Sequence, residues 1–290
     1  MDDLAPIIDM GPDALIMSDP GLIMMVRERW PGQTIHLSVQ SNVVNYAAAK
    51  FWHNMGLKRI ILSRELPLKE IGEIREHCPE LELETFVHGA LCIAYSGRCL
   101  LSGYMSHRDS NQGACTNSCR WKYDVHEARE TGTGDTVPQT GPALDQMVES
   151  PVVLLEEQNR PGELMPAYED EHGTYIMNSK DLRAVQHVEK LTQLGIDSFK
   201  IEGRTKSIYY VARTTQVYRK AIDDALAGRP FDMGLMDELE GMANRGFTEG
   251  FYRRHPPGEY QNYERGFSSS DKQQYVGSIL DCSDNWLTVD

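Results

Sequence analysis

Cys92, Cys99, Cys115 and Cys119 stand close together in a chain of 290 residues that holds six cysteines. Their spacing is Cys92-x6-Cys99-x15-Cys115-x3-Cys119. Four thiolates from one compact stretch suit a tetrahedral metal or a cubane cluster. On a helical turn Cys115 and Cys119, four apart, share a face. The paired C-x2-C knuckles of a zinc ribbon are absent from the sequence. Spacing alone leaves an iron–sulfur cluster, a zinc site and buried or redox-active thiols all open. Cys78 and Cys282 stand apart and read as packing or surface thiols.

Composition narrows the setting. The chain is 40% hydrophobic and 25% charged, enough for a sizeable core and unlike a disordered polar chain. No apolar run approaches the roughly 18 residues of a membrane span, and the start, MDDLAP, has no apolar core of a signal peptide. A cytoplasmic protein with no membrane partner is expected, and in a reducing compartment clustered cysteines point to metal or catalysis. The net charge is -14, from 29 basic and 43 acidic residues. A uniformly acidic surface repels nucleic acid, whose affinity rests on phosphate contacts. The acidic surplus, however, avoids residues 92–129 and 200–265.

The elements that must position these cysteines are a strand–helix alternation. Apolar runs at Asp13–Met17, Ile35–Val39, Arg59–Ser63 and Leu83–His88 start 22 to 24 residues apart. Ser41 or Asn42 can cap a helix Val43–Asn54 that Gly56 closes, and Pro67 suits the first turn of a helix ending at His77. Such alternation predicts parallel strands with crossover helices. The pattern breaks at Cys92. Strands Val152–Glu157 and Tyr175–Met177 are expected beyond it. A helix Lys180–Leu194, a strand Ser198–Glu202 and a long helix from Ser207 to Ala227 then restore the alternation. This makes five barrel-type strands, where a closed (β/α)8 barrel needs eight and about 250 residues. The expected fold is therefore α/β, a partial TIM-type barrel over 1–254 with a cysteine-rich insertion at 92–197. A linker and the first strands of a C-terminal β domain follow over 255–290.

In such a fold the polar residues just after each strand face one mouth. Ser18, Asp19, Gln40, Asn42, Arg64, Glu65, His88, Glu202 and Arg204 meet that description. His88, four residues before Cys92, is a candidate acid or base near the cluster, or else a hydrogen-bonded core histidine. Glu65 and Glu202 complete the catalytic candidates. Gln40, Arg64, Lys200 and Arg204 are candidates for binding a carboxylate or phosphate. Arg98, Arg108, Arg120, Lys122, Lys206, Arg213, Arg219, Arg253 and Arg254 could meet RNA phosphates. Trp121, Tyr123, Tyr209 and Tyr210 could stack on unpaired bases. Neither G-x-S-x-G nor H-E-x-x-H occurs.

Four stretches carry a resemblance: ETFVHGALCIAYSGRCLLSGY from Glu84, NQGACTNSCRWKY from Asn111, YIMNSKDL from Tyr175 and SFKIEGRTKS from Ser198. They resemble blocks of the peptidase U32 family, nearly end to end. PDALIMSDPGLIM, IHLSVQSN, RTKSIYYVARTTQVYRKAIDDA and RGFTEGF look like the branch that 5-hydroxylates the wobble uridine of tRNA. The resemblance implies tRNA as partner, a [4Fe–4S] cluster on Cys92, Cys99, Cys115 and Cys119, and prephenate, a small dicarboxylate, as co-substrate. Some relatives carry a further cysteine after the KDL motif, where this chain has Arg183, so Cys119 completes the set here. Relatives begin with three more strand–helix units and end in a β-barrel domain, which implies a chain partial at both ends. Sister activities on ribosomal RNA or a quinone precursor, a collagenase-like peptidase, and a zinc-stapled RNA-binding scaffold are the alternatives.

Overall fold

A computed structural model describes residues 1–91, 181–203, 206–242 and 247–253, together with parts of 102–118, 123–130, 136–138, 152–157, 162–170, 173–174, 279–283 and 286–289. The chain divides into two compact units, one of residues 1–91, 181–259 and 268–290, the other of residues 92–180 and 260–267.

The first unit opens with helix α1 (Ala5–Asp9) and then alternates: β1 (Leu15–Met17), α2 (Pro20–Arg29), β2 (Ile35–Leu37), α3 (Tyr46–Asn54), β3 (Arg59–Ile61), α4 (Leu68–His77) and β4 (Glu82–Ala90). Each of β1 to β4 pairs in parallel with the next. Helix starts follow local chemistry. Asp19 accepts from the Leu22 amide at 2.8 Å, with Pro20 in the first turn of α2, where its missing N–H costs nothing. Asn45 caps α3 through the Ala48 amide at 2.9 Å. The expected start at Val43 is thus displaced. A 3-10 turn, Val39–Ser41, capped by Ser38, takes up the preceding residues, and Asn42 turns left-handed at φ 52°.

The second unit holds β5 (Tyr123–Glu130), β6 (Thr136–Pro138), β7 (Val152–Glu157), β8 (Leu164–Asp170) and β9 (Gly173–Thr174), all antiparallel in the order β6-β5-β7-β8-β9. The expected strand Tyr175–Met177 lies outside the described residues.

The chain re-enters the first unit as β10 (Asp181–Arg183), a strand where a helix is expected. It pairs antiparallel with the end of β4, so the helical pattern is realised only in α5 (Val188–Gln193). Residues 181–197, expected within the insertion, therefore belong to the first unit. Then come β11 (Ser198–Glu202), α6 (Ile208–Leu226), α7 (Gly234–Glu240) and β12 (Phe247–Thr248). β11 pairs in parallel with β4, and Ser207 caps α6 by accepting from the Tyr210 amide at 3.1 Å. β12 pairs in parallel with β10. The result is a mixed α/β unit with a parallel-rich sheet. A hairpin, β13 (Ile279–Ser283) with β14 (Trp286–Val289), closes the described residues.

The core lies between the sheet and its helices. Ile35, Leu37, Ile60, Leu83 and Val87 from the strands are buried, as are Val26, Ala49, Ile71, Ile74, Val188, Leu191, Val217, Ala221 and Leu239 from the helices. Along α6 the buried positions Tyr210, Thr214, Val217, Tyr218 and Ala221 follow the 3.6-residue period. The opposite face of β2, β3, β4 and β11 carries charge. Register places His36 beside Arg59, Arg59 beside Glu82 and Ser198 beside Glu84.

Candidate functional site

The charged face is bound by ion pairs. Arg59 meets Glu82 at 2.9 Å and Glu84 at 3.4 Å, and Lys200 meets Glu84 at 3.1 Å. The Ser198 hydroxyl donates to the same Glu84 carboxylate at 2.9 Å. Burial pushes the Glu84 carboxyl up, but Lys200, Ser198 and Arg59 outweigh it and hold it below its ordinary value.

Further along, in the turn after β3, Arg64 lays its guanidinium over the Phe86 ring, 3.5 Å from the centroid, and pairs with Glu202. Lys200 stands 5.5 Å from the same ring. A cation over an aromatic face is attracted by its quadrupole, more so where water is thin. Arg64 also lines a small cavity with Ser63, Thr85, Phe86, Leu182 and Tyr252. Arg64, Lys200 and Glu202 are therefore brought together around Phe86, a residue that sequence reading passed over. Its signal was modest: an aromatic two residues before His88 on an alternating strand.

Gln40 accepts from the Ser18 hydroxyl at 3.2 Å. Ser41 donates to the Ser18 carbonyl at 3.0 Å and Ser63 to Asn42 at 3.3 Å, so the turns after β1, β2 and β3 are laced together. Glu65 lies half-buried in the turn beside Arg64. Among the described catalytic and binding candidates, Arg64 lines the cavity just described.

His88 is placed differently from a mouth residue. The pairing of β11 with β4 runs Lys200 to Phe86, then Ile201 to His88, so Val87 is an extra residue, a β-bulge. Beyond it His88 meets α6: its Nε2 lies 2.9 Å from the Tyr210 hydroxyl and its Nδ1 3.3 Å from the Tyr218 hydroxyl. It is 1% exposed. Burial lowers its pKa to about 3, Lys206 and Arg183 add to that, and Asp181 opposes it. Such an imidazole is neutral and engaged on both nitrogens, the hydrogen-bonded core histidine of the two readings. Tyr210, a stacking candidate, is 4% exposed in this arrangement. Lys206 is held by the buried Asp181 at 2.9 Å, Arg213 by Glu238 at 2.9 Å and Arg219 by Asp223 at 2.5 Å. Gly89, the next residue, has φ +101°, and a Cβ there would overlap the Glu202 carbonyl.

Cys92, Cys99, Cys119 and Arg204 lie outside the described residues. Cys115 is half-buried, next to a hydroxyl cluster in which the Thr116 hydroxyl meets Ser102 at 3.0 Å, Ser106 at 2.9 Å and Ser118 at 2.8 Å. Among the described residues no group of three or more His, Cys, Asp or Glu side chains is arranged to hold a metal ion. Among the described residues no helix is long and apolar enough to cross a membrane.

The profile of Peptidase family U32 matches residues 1–262. The chain belongs to this family. It is 63% identical over 286 residues to tRNA hydroxylation protein P of Escherichia coli, covering 96% of this chain and 63% of that protein. The namesake from Haemophilus influenzae is 63% identical over 289 residues, with the same coverage of 96% and 63%. A Porphyromonas gingivalis protein named collagenase is 30% identical over 278 residues, 91% of this chain and 58% of that one. The chain thus spans a little under two thirds of these relatives, 63% of the first two. The U32 blocks read from the sequence are accordingly family blocks. The site geometry sorts them: SFKIEGRTKS supplies Lys200 and Glu202, and ETFVHGA supplies Phe86 and the bulge.

Proposed function

We propose that this chain acts in the 5-hydroxylation of the wobble uridine of tRNA, in the cytoplasm, drawing on prephenate. The observation that carries the reading is the 63% identity to two proteins named for tRNA hydroxylation, over 96% of the chain. In this reading the parallel-rich sheet is part of a (β/α)8 barrel. Its substrate-facing groups are Arg64, Lys200, Arg204 and Gln40, with Glu65 and Glu202 as carboxylates beside them. Cys92, Cys99, Cys115 and Cys119 hold an iron–sulfur cluster, which supplies single-electron chemistry when bound. Four thiols in one stretch are a suitable donor set.

The residues around Phe86 can do part of this work. Arg64 presents a planar fork and Lys200 a point charge, the two forms of cation that grip carboxylates. Glu202 orients Arg64, and Phe86 offers the guanidinium a flat apolar bed. His88 in its buried setting is not a proton shuttle to substrate in this reading, and acid–base work falls to Glu65 or Glu202.

The test is mass spectrometry of tRNA nucleosides from a strain deleted for the gene. The reading expects loss of 5-hydroxyuridine and its derivatives, restored by the wild-type gene and not by Arg64→Lys. Unchanged 5-hydroxyuridine in a strain without a parallel route overturns it. The relative named collagenase favours a second reading, peptide hydrolysis. A serine or cysteine peptidase needs a nucleophile with a base. Of the buried histidines, His88 is held by two tyrosines and His187 by Glu249 at 2.7 Å. Release of peptides from gelatin by the purified protein would favour that second reading.

A further inference from the structure

A bulge takes carbonyls out of the strand ladder, and buried carbonyls need partners. Here tyrosine hydroxyls reach the two carbonyls at the bulge. Tyr252 donates to the Phe86 carbonyl at 2.6 Å, and Tyr218 donates to the Val87 carbonyl at 2.6 Å. The second contact determines the protons around it. A carbonyl carries no hydrogen, so an O···O distance of 2.6 Å commits the single Tyr218 proton to Val87. The Tyr218 oxygen can then only accept. It accepts at 3.1 Å from the Ala184 amide, which it shares with the Val87 carbonyl at 2.9 Å, and faces His88 Nδ1 at 3.3 Å. Two lone pairs would repel there, so Nδ1 carries the imidazole proton. In a neutral ring Nε2 is then bare, and the Tyr210 hydroxyl donates to it at 2.9 Å. Neutrality comes from burial, with the ring 1% exposed. Asp181, Lys206, Arg183 and Phe247 are its other neighbours.

The chain of donors therefore has one direction: Tyr210 to His88, His88 to Tyr218, Tyr218 to Val87. It joins two points on α6, eight residues apart, to the bulge of β4. Beyond the bulge lies the site side of the strand end. Gly89 pairs with Glu202 in the register that resumes there, and the Glu202 carbonyl sits where a Cβ on Gly89 would stand. The Glu202 carboxylate meets Arg64, which lies on Phe86, the residue just before the bulge. A one-residue change of register here would turn Glu202 to the other face of the sheet.

We propose that Tyr218 and Tyr210 are positioning residues: through His88, held as its Nδ1–H tautomer, they lock the bulge at Val87 and thereby hold Glu202 against Arg64. This rests on the reading of Arg64 and Glu202 as part of the functional site, but its test uses no tRNA. The full chain is labelled with 15N-histidine, and the two ring nitrogens of His88 are assigned by their loss in His88→Gln. Long-range proton–nitrogen correlation at neutral pH should show a protonated Nδ1 and a bare Nε2. In Tyr210→Phe the Tyr218 lone pair still faces Nδ1, so the tautomer should persist. In Tyr218→Phe the acceptor is gone, and the signal should move to mixed or Nε2–H character. The Arg64 Nε–H resonance, displaced by the Phe86 ring, should shift in Tyr218→Phe towards that of a free arginine.

A wild-type His88 protonated on Nε2 overturns the proposal, and this reading needs no variant to fold. An Arg64 resonance unchanged in a folded Tyr218→Phe protein overturns it as well. A role in packing alone predicts that removing a hydroxyl leaves both spectra unmoved. If the spectra behave as expected while Arg64→Lys leaves 5-hydroxyuridine normal, the lock stands and the functional reading falls.

Discussion

Strand β4 carries two polar regions on either side of one extra residue, and they have opposite fates. Before the bulge, Glu84 shares its face with Arg59 and Lys200 and is paired with both, and the two cations stay partly open to solvent. After the bulge, His88 is neutral, sealed and bonded to two tyrosines. Val87 marks the change of regime, because one extra residue exchanges the faces of a period-two strand. Proximity to a functional motif therefore does not assign a histidine to it. The phase of its strand does.

The sharpest way to break this arrangement is Gly89→Ala. At φ +101° with the Glu202 carbonyl in the place of a Cβ, the substitution forces β11 away. A loss of about 2–4 kcal/mol in urea unfolding is expected. A loss under about 0.5 kcal/mol would show that the two strand ends do not depend on this approach.

Next comes Tyr218→Phe, which leaves His88 Nδ1 without its acceptor and the Val87 carbonyl with one donor fewer, the Ala184 amide at 2.9 Å remaining to it. The expected cost is about 1–3 kcal/mol. Tyr210→Phe, with one contact to His88 lost, should cost less. The reverse order would contradict the direction of the donor chain.

The two regions also separate by pH. His88 binds its proton at about 3 in the fold and near 6.5 when unfolded. Between these values the unfolded chain holds a proton that the folded chain lacks. The stability is thus complete above about pH 6.5 and falls as pH drops towards 3. His36, also lowered by burial, adds to that slope. Glu84 and Glu249 ionise below the ordinary 4.5, so their contribution is lost only as pH falls below that value. Urea midpoints between about pH 4.8 and 7.5 should drop with acid in the wild type and less steeply in His88→Gln. Equal slopes would place His88 outside a buried environment.

Arg64→Lys keeps charge beside Glu202 but loses the planar fork over Phe86. If the pair belongs to the site, 5-hydroxyuridine should fall by about tenfold or more, with the fold retained. Smallest of all is Arg219→Ala. Arg219 and Asp223 are each 56% exposed, and the unfolding midpoint should not move measurably when their pair is removed. A measurable shift would mean that exposed pairs on α6 matter as much as the pairs on the sheet.

The sequence by itself determined the alternation of β1 to β4 with their helices and the parallel pairing of β11 with β4. It also determined the long helix that becomes α6, from Ser207 on. These obey local rules: a period of two or 3.6, and cap residues that satisfy the first amides of a helix. It also placed Arg64, Lys200 and Glu202 at strand ends, where they do meet. Tertiary structure alone decided the rest. Residues 181–183 read as helix but form β10, because the end of β4 offers them an unpaired edge. Arg59 and Glu84 are 25 residues apart and become partners only through register. The destiny of His88 hung on the bulge at Val87, and a bulge is set by what meets its carbonyls. Those partners, Tyr218 and Tyr252, lie 131 and 166 residues away in the chain. No pattern along β4 encodes a contact at that distance.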